Sequence, residues 1–318
     1  MRFLGRLIRS WLISENNYNP DSLESNTIDW LRVVPFVLLI LSCVFVFYVH
    51  CSLIAVMTAV FLLFFRAWTI CAFYHRYFSH KTFKTNRFWQ FIFAALAGTA
   101  IQRGPLWWAS HHRQHHMVSD QPDDAHSPVQ HGFWWSHVGW FLTKKYHNYN
   151  PDRVKDLERY PELVFLERYH IVMPVLLFFV LLMMGWLLQM YRPELNTGIG
   201  EMLVWGFSIS TVALFNVTAL INSLCHVFGT RRYDTTDNSR NNLLFALLAL
   251  GEGWHNNHHH YPASARQGFM WWEIDITYYL IKLMEWLGIV WDVAPVPQAV
   301  LEKNWIKKPD NKNEPLEF

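Results

Sequence analysis

The stretch SLIAVMTAVFLLFFRAWTICAFYHRYFSH, residues 52–80, decides the architecture. Residues 52–74 are apolar or small except for Arg66, and about 20 such residues in a helix cross the roughly 30 Å of bilayer hydrocarbon. The segment is longer than a membrane needs. Arg66 is therefore expected to mark the membrane–water interface, with the helix projecting beyond the lipid to place His75 above it.

Three more segments have the same character: VVPFVLLILSCVFVFYV (residues 33–49), IVMPVLLFFVLLMMGWLLQMY (171–191) and IGEMLVWGFSISTVALFNVTALINSLCH (199–226). The last also overshoots and carries His226 with it. Composition agrees: 52% of residues are hydrophobic, 17% aromatic and 16% charged, where a soluble protein has about a quarter charged. The fold class expected is all-α, a polytopic membrane protein with four transmembrane helices and a histidine-rich cytosolic cap. Residues 1–30 form an amino-terminal interfacial segment, 31–74 the first two membrane helices and 75–170 a first cap segment. Residues 171–226 form the third and fourth membrane helices, and 227–318 the rest of the cap with a polar tail.

The shorter apolar runs at residues 88–101 and 242–250 are expected to be interfacial or buried helices. In the amino-terminal segment, Arg2, Arg6 and Arg9 lie near one helical face, with Phe3, Leu7, Trp11 and Leu12 elsewhere. That pattern suits an interfacial amphipathic helix, and a basic unstructured leader is the equal alternative. Basic residues before the first span and between the second and third, against a lone Arg192 in the two hairpin connectors, put both termini and the middle segment in the cytoplasm. Every histidine-rich segment then falls on one side. A net charge of +2 without a basic block excludes a nucleic-acid partner. Cys43, Cys51, Cys71 and Cys225 show no paired spacing and read as small buried hydrophobes.

Four motifs carry the chemistry: HRYFSH (His75, His80), HRQHH (His112, His115, His116), NSLCH (Asn222, His226) and HNNHH (His255, His258, His259). Residues three and four apart share a helical face, so each HxxHH directs its imidazoles to one side. His75 and His80, five apart, fall out of line on a helix of 3.6 residues per turn and need a helix end or a bend. Imidazole suits iron, zinc and copper. Nine imidazoles exceed the needs of one ion, so two ions are expected, with Asn222 placed to hold a water on one of them.

His50, His131, His137, His147 and His170 read as ordinary surface or core residues, and His111, His126 and His260 as supporting partners. Asp120, Asp123 and Asp124 are candidate acceptors for imidazole N–H groups, although a polar turn around Pro122 explains them nearly as well. The ExxH matches at Glu167/His170 and Glu252/His255 read as coincidence.

HRYFSH, HRQHH and HNNHH in that order, NSLCH after the fourth apolar segment, and the strings FWWSHVGW (residues 133–140), DNSRNN (237–242) and GEGWHNNHH (251–259) together resemble the integral-membrane fatty acid desaturases, specifically their delta-9 acyl-CoA or acyl-lipid group. The resemblance runs from about residue 52 to 293. It implies a four-span bundle with a cytosolic di-iron centre held by His75, His80, His112, His115, His116, His226, His255, His258 and His259, with Asn222 acting through water. It also implies a saturated fatty acyl substrate, carried on CoA or in a lipid, with dioxygen as cosubstrate. The chain has no HPGG haem motif, so electrons are expected from a separate donor such as ferredoxin or a cytochrome b type protein with its reductase.

The chemistry asks for such a centre. Adjacent methylenes offer neither a leaving group nor an acidic proton, so their dehydrogenation needs an oxidant, which a metal supplies while the protein orients substrate and excludes water. A hydroxylase or other lipid oxygenase on the same scaffold is the rival expectation. A metal transporter would want ionisable ligands within its spans, and the first and third contain none. Membrane lipid is a partner in every reading. The location expected is a bacterial inner membrane, with the endoplasmic reticulum second.

Overall fold

The computed structural model describes residues 11–19 and 26–306. Trp11 and Leu12 are helical, while the rest of the expected amphipathic face (Arg2, Phe3, Arg6, Leu7 and Arg9) and the polar tail from residue 307 lie outside the described residues. In chain order the longer helices are α1 (Trp30–Phe47), α2 (Leu53–Ser79), α3 (Arg87–Gly98), α4 (Pro105–Val118) and α5 (Pro161–Arg168), then α6 (Val172–Tyr191), α7 (Ile199–Leu224), α8 (Leu243–Leu248), α9 (His255–His260) and α10 (Ile276–Trp286). Helices α1, α2, α6 and α7 are long and apolar enough to cross a membrane and coincide with the four expected segments. At 27 and 26 residues, α2 and α7 each run about 40 Å at 1.5 Å per residue, some 10 Å more than the hydrocarbon requires. Side chains cap several amino termini: Asp29 for α1, Ser52 for α2, Asn242 for α8 and Asp275 for α10, each accepting an otherwise unpaired backbone N–H.

The chain folds as two compact units. The first comprises residues up to 70, 91–110 and 141–216. Its interior is a cluster of Ala55, Leu62, Leu181 and Met202, with Leu177, Leu188, Trp205 and Phe207 packed around it. Phe36 of α1 meets Phe141 and Phe215 edge to face at 5.6 and 5.1 Å, and Ser42 donates to Ser208 at 2.8 Å. At the start of α7 the Glu201 carboxylate accepts from the backbone of Gly198 at 2.9 Å and of His50 at 3.2 Å, which ties both hairpin connectors to one helix end. Arg66 is met by protein. It is fully buried in protein and donates to the Leu62 and Thr99 carbonyls and the Ser210 and Thr211 hydroxyls. Its hydrogen bonds join α2 and α7 to the residue that follows α3, so it organises the helix bundle from within.

The second unit comprises residues 71–90, 111–140 and those from 217 onward. It has two small apolar clusters, one of Ile221, Cys225 and Ala249 and one of Tyr233, Phe269, Met270 and Leu301. A minimal antiparallel ribbon pairs β1 (Lys84–Thr85) with β2 (Val290–Trp291), Lys84 opposite Trp291 and Thr85 opposite Val290. This ribbon is a small departure from the all-helical expectation. All four cysteines are free.

Helix α6 meets the start of α7 at Gly185, where an added Cβ would lie 2.7 Å from the Gly198 carbonyl oxygen and from Ile199 Cα. Backbone cannot yield as a side chain can. Gly185→Ala is expected to destabilise the protein by about 1–3 kcal/mol through overpacking, whereas Gly200→Ala, which faces only a Val49 methyl at 3.3 Å, changes stability by less than about 1 kcal/mol. Equilibrium unfolding in mixed micelles distinguishes the two.

Candidate metal centre

All nine histidines of the four motifs lie in the second unit and meet in two groups. His75, His80, His112, His116 and His258 form one, here site A, and His115, His226, His255 and His259 the other, site B. Within each group, one ring nitrogen per residue lies within 4.8 Å of all the others. Helices α4 and α9 serve both sites in mirror fashion. From α4, His112 and His116 go to A and His115 to B; from α9, His258 goes to A and His255 and His259 to B. Each HxxHH face is single, as its spacing predicts, but it spans two foci. Asn222 stands half-buried near the end of α7, one turn before His226.

The five-residue spacing of HRYFSH is resolved by helix pitch. From Ile70 to Ser79 α2 widens into π geometry, whose hydrogen bonds join residues five apart, and the His80 N–H donates to the His75 carbonyl at 3.2 Å. The two rings thereby come within 4.9 Å centre to centre. Lys81 then turns to a φ of 57° and ends the helix.

HNNHH is held by the residues between its histidines. Asn241 Oδ1 accepts from the backbone of Asn256 and Asn257 at 3.0 and 3.1 Å, filling the first turn of α9. Asn256 Oδ1 takes the backbone N–H groups of Arg232 and Tyr233 at 2.8 Å each, and Asn257 donates to Glu273 Oε2 and the Gln267 carbonyl, both at 2.9 Å. The preceding GEG turn is equally specific. Gly251 has a φ of 122°, and a Cβ there would lie 2.3 Å from Asp275 Oδ1.

Four carboxylates fix the imidazole orientations. Glu252 meets His75 Nδ1 at 2.5 Å, Asp124 meets His115 Nδ1 at 3.0 Å, Asp120 meets His226 Nδ1 at 2.8 Å and Asp237 meets His259 Nδ1 at 2.7 Å. Burial opposes ionisation of Asp120 and Glu252, but their histidine partners outweigh it and hold both carboxyls down to about 2. Asp124 and Asp237 are held lower still for the same reason. Asp120 adopts φ 58°, a left-handed conformation that aspartate tolerates better than most residues; there its carboxylate also accepts from Ser127 Oγ and the Asn238 backbone. Glu252 is in turn gripped by Arg76, a buried guanidinium that also pairs with Asp275 at 3.0 Å.

These nitrogens fit a cation better than they fit one another. An imidazole whose Nδ1–H is given to a carboxylate presents a lone pair at Nε2. Yet Nε2 faces Nε2 at 2.9 Å for His75 and His258, at 3.0 Å for His116 and His258, and at 3.0 Å for His226 and His255. His115 Nε2 and His259 Nε2 are buried without a hydrogen-bond partner. Desolvation also pushes His80, His112, His116, His255 and His258 well below the ordinary imidazole range, so added protons are disfavoured on those five rings. Each focus could hold a cation, and an all-nitrogen donor set suits a transition metal.

Several supporting residues were not singled out in the sequence. Asp120 and Asp124 act as anticipated, while Asp123 is exposed on the turn. Asp237 sits within DNSRNN, a string that shows no metal-ligand spacing, and Glu252, read as a coincidence, orients His75. Arg76 gives no sequence signal beyond lying between two histidines. Of the other histidines, His126 packs beside His115 at 4.4 Å, His137 meets Ser223 Oγ at 3.1 Å, His147 accepts from Arg103 at 2.7 Å, and His260 stacks on Tyr233 at 3.9 Å.

Comparison with known proteins agrees with this geometry. The chain is 40% identical over 230 residues to an acyl-CoA 5-desaturase of Anemone leveillei, covering 71% of this chain and 67% of that protein. It is 40% identical over 226 residues to delta-9 acyl-lipid desaturase 1 of Arabidopsis thaliana, covering 69% and 68%. It is 39% identical over 229 residues to the chloroplastic palmitoyl-monogalactosyldiacylglycerol delta-7 desaturase of the same plant, covering 71% of this chain and 58% of that one. The fatty acid desaturase family model matches residues 51–284, an interval that contains every histidine of both sites, and the chain belongs to that family.

Proposed function

We propose that the chain is an oxygen-dependent acyl desaturase that places a cis double bond at the delta-9 position of a saturated acyl chain carried on CoA or in a lipid. The observation that carries this reading is the convergence of nine imidazoles on two foci. Relatives of nearly equal identity bear delta-5, delta-7 and delta-9 names; the five-residue spacing of HRYFSH and the histidine heading the third motif favour delta-9.

Two iron ions are assigned to the foci, with His75, His80, His112, His116 and His258 as ligands of one and His115, His226, His255 and His259 of the other. Asn222 reaches the second through a water. When bound, the iron pair supplies the activation of dioxygen that removal of two unactivated hydrogens demands. The protein's part is to keep the ligand nitrogens unprotonated, to fix each ring by its carboxylate, and to hold the substrate methylenes against the centre while excluding water. Electrons come from a separate one-electron carrier, a ferredoxin or a cytochrome b type protein with its reductase. The charge distribution around the spans supports a cytoplasmic active site. Arg231 and Arg232 are engaged within the fold, Arg232 with Glu273 at 2.6 Å and Arg231 with the Asp237 carbonyl at 3.0 Å.

Expression in a desaturase-deficient host, with double-bond position assigned by mass spectrometry, is expected to yield a cis double bond between carbons nine and ten that is absent with His258→Ala. A bond at another position corrects the regiochemistry alone. Hydroxylated lipid would favour an oxygenase, and unchanged lipid from folded, iron-loaded protein with a competent donor sinks the desaturase reading for the lipids tested. A second expectation concerns metal removal. Stripping the metal leaves the imidazole lone pairs opposed, so the thermal midpoint in detergent is expected to fall by more than about 5 °C and to recover when ferrous iron is restored.

A further inference from the structure

Behind His75 the second unit closes a ring of four buried polar residues, Glu252, Arg76, Asp275 and Gln267. Glu252 divides its two oxygens. Oε2 meets His75 Nδ1 at 2.5 Å and accepts from Gln267 Nε2 at 3.0 Å, while Oε1 accepts from Arg76 Nε and Nη2 at 3.2 and 3.0 Å. Asp275 lies on the far side of Arg76 and takes it in a fork, Nη1 to Oδ2 and Nη2 to Oδ1 at 3.0 Å each. Asp275 Oδ2 also accepts from the Gln267 backbone at 2.7 Å. Asp275 thus reaches Glu252 by two routes, through the guanidinium and through Gln267.

Asp275 is itself firmly placed. It caps α10, where Oδ1 accepts from the Tyr278 backbone at 3.0 Å, and α10 buries Thr277, Ile281 and Met284. The turn at Gly251 leaves it room, since a Cβ there would lie 2.3 Å from Asp275 Oδ1 and 3.1 Å from Arg76 Nη2. A forked guanidinium–carboxylate pair is both strong and directional, and charges in a poorly screened interior act strongly on one another. With its charge shared between two carboxylates, Arg76 leaves Glu252 an anion for His75. Facing Glu252 alone, it would draw that carboxylate away from the imidazole.

We propose, resting on the two-metal reading above, that Asp275 is a positioning residue for the metal held by His75: it fixes Arg76 and shares its charge, so that Glu252 keeps the orientation and the charge that aim His75 Nε2 at site A. Partners of this kind, one step behind a ligating imidazole, are worth roughly 10–100-fold in metal affinity. Asp275 acts one step further out, through Glu252, and its effect therefore exists only while Glu252 is present.

The test titrates the full metal-free chain in detergent with cobalt(II) against a competing chelator, following the visible absorption of the bound ion. It compares the unaltered chain with Glu252→Gln, Asp275→Asn and the double variant. Glu252→Gln is expected to weaken one of two cobalt equivalents by about tenfold or more. Asp275→Asn, which keeps an oxygen for the Tyr278 N–H, is expected to weaken the same equivalent by about three- to tenfold, and by less than about twofold once Glu252→Gln is present. The thermal midpoint of the metal-free protein, measured alongside, separates loss of fold from loss of binding. Should Asp275→Asn fail to fold, Arg76→Lys takes its place: an ammonium cannot span two carboxylates in a fork, and its effect too is expected to vanish beside Glu252→Gln. A lowered thermal midpoint with unchanged cobalt affinity, losses that simply add in the double variant, or an affinity untouched by Glu252→Gln overturns the inference and leaves the two-metal reading intact. Folded, unaltered chain that binds fewer than two equivalents sinks the two-metal reading and this inference with it.

Discussion

The second unit depends on one electrostatic constraint: nine imidazoles turn ring nitrogens toward two shared foci, most of them buried. Ring nitrogens 2.9–3.0 Å apart need either a shared proton or a cation between them, and burial disfavours extra protons on His116, His255 and His258. The fold must therefore hold each ring where it would not otherwise stay. Carboxylates on Nδ1, the left-handed backbone at Asp120, the asparagine lattice under α9 and the Arg76 ion pairs all serve that end. Each is buried, and each would be costly without its partner. Metal binding and fold are consequently a single problem in this unit.

The first unit is governed by different physics. Its helices pack through small residues and apolar side chains, with a close backbone approach at Gly185. Its one buried cation, Arg66, is met by neutral acceptors on three helices. An arginine in that position looks in the sequence like a boundary between lipid and water, because hydropathy registers charge and not what surrounds it. Thr99, Ser210 and Thr211, far apart in sequence from Arg66, converge on it.

The same limit explains what could be read beforehand. Four spans were legible because length and hydropathy are local properties, and the nine histidines because their spacing is periodic. Their division between two sites was not legible, since His115 differs from His116 only in direction around α4. Nor was the π geometry at HRYFSH, which the mismatch of five residues with α-helical pitch announced as an anomaly without stating its solution. Asp237 and Glu252 were hidden for a simpler reason. An acceptor for an imidazole N–H needs no fixed sequence offset from the histidine that it serves.

The mirrored use of α4 and α9 has a mechanical consequence. Each helix lends two imidazoles to one focus and one to the other, so each is a partition with a metal position on either flank. A small roll of α4 about its axis that draws His112 and His116 inward carries His115 outward, and α9 behaves in the reverse sense. The two histidine groups are thus mechanically linked, because α4 and α9 each carry rings of both.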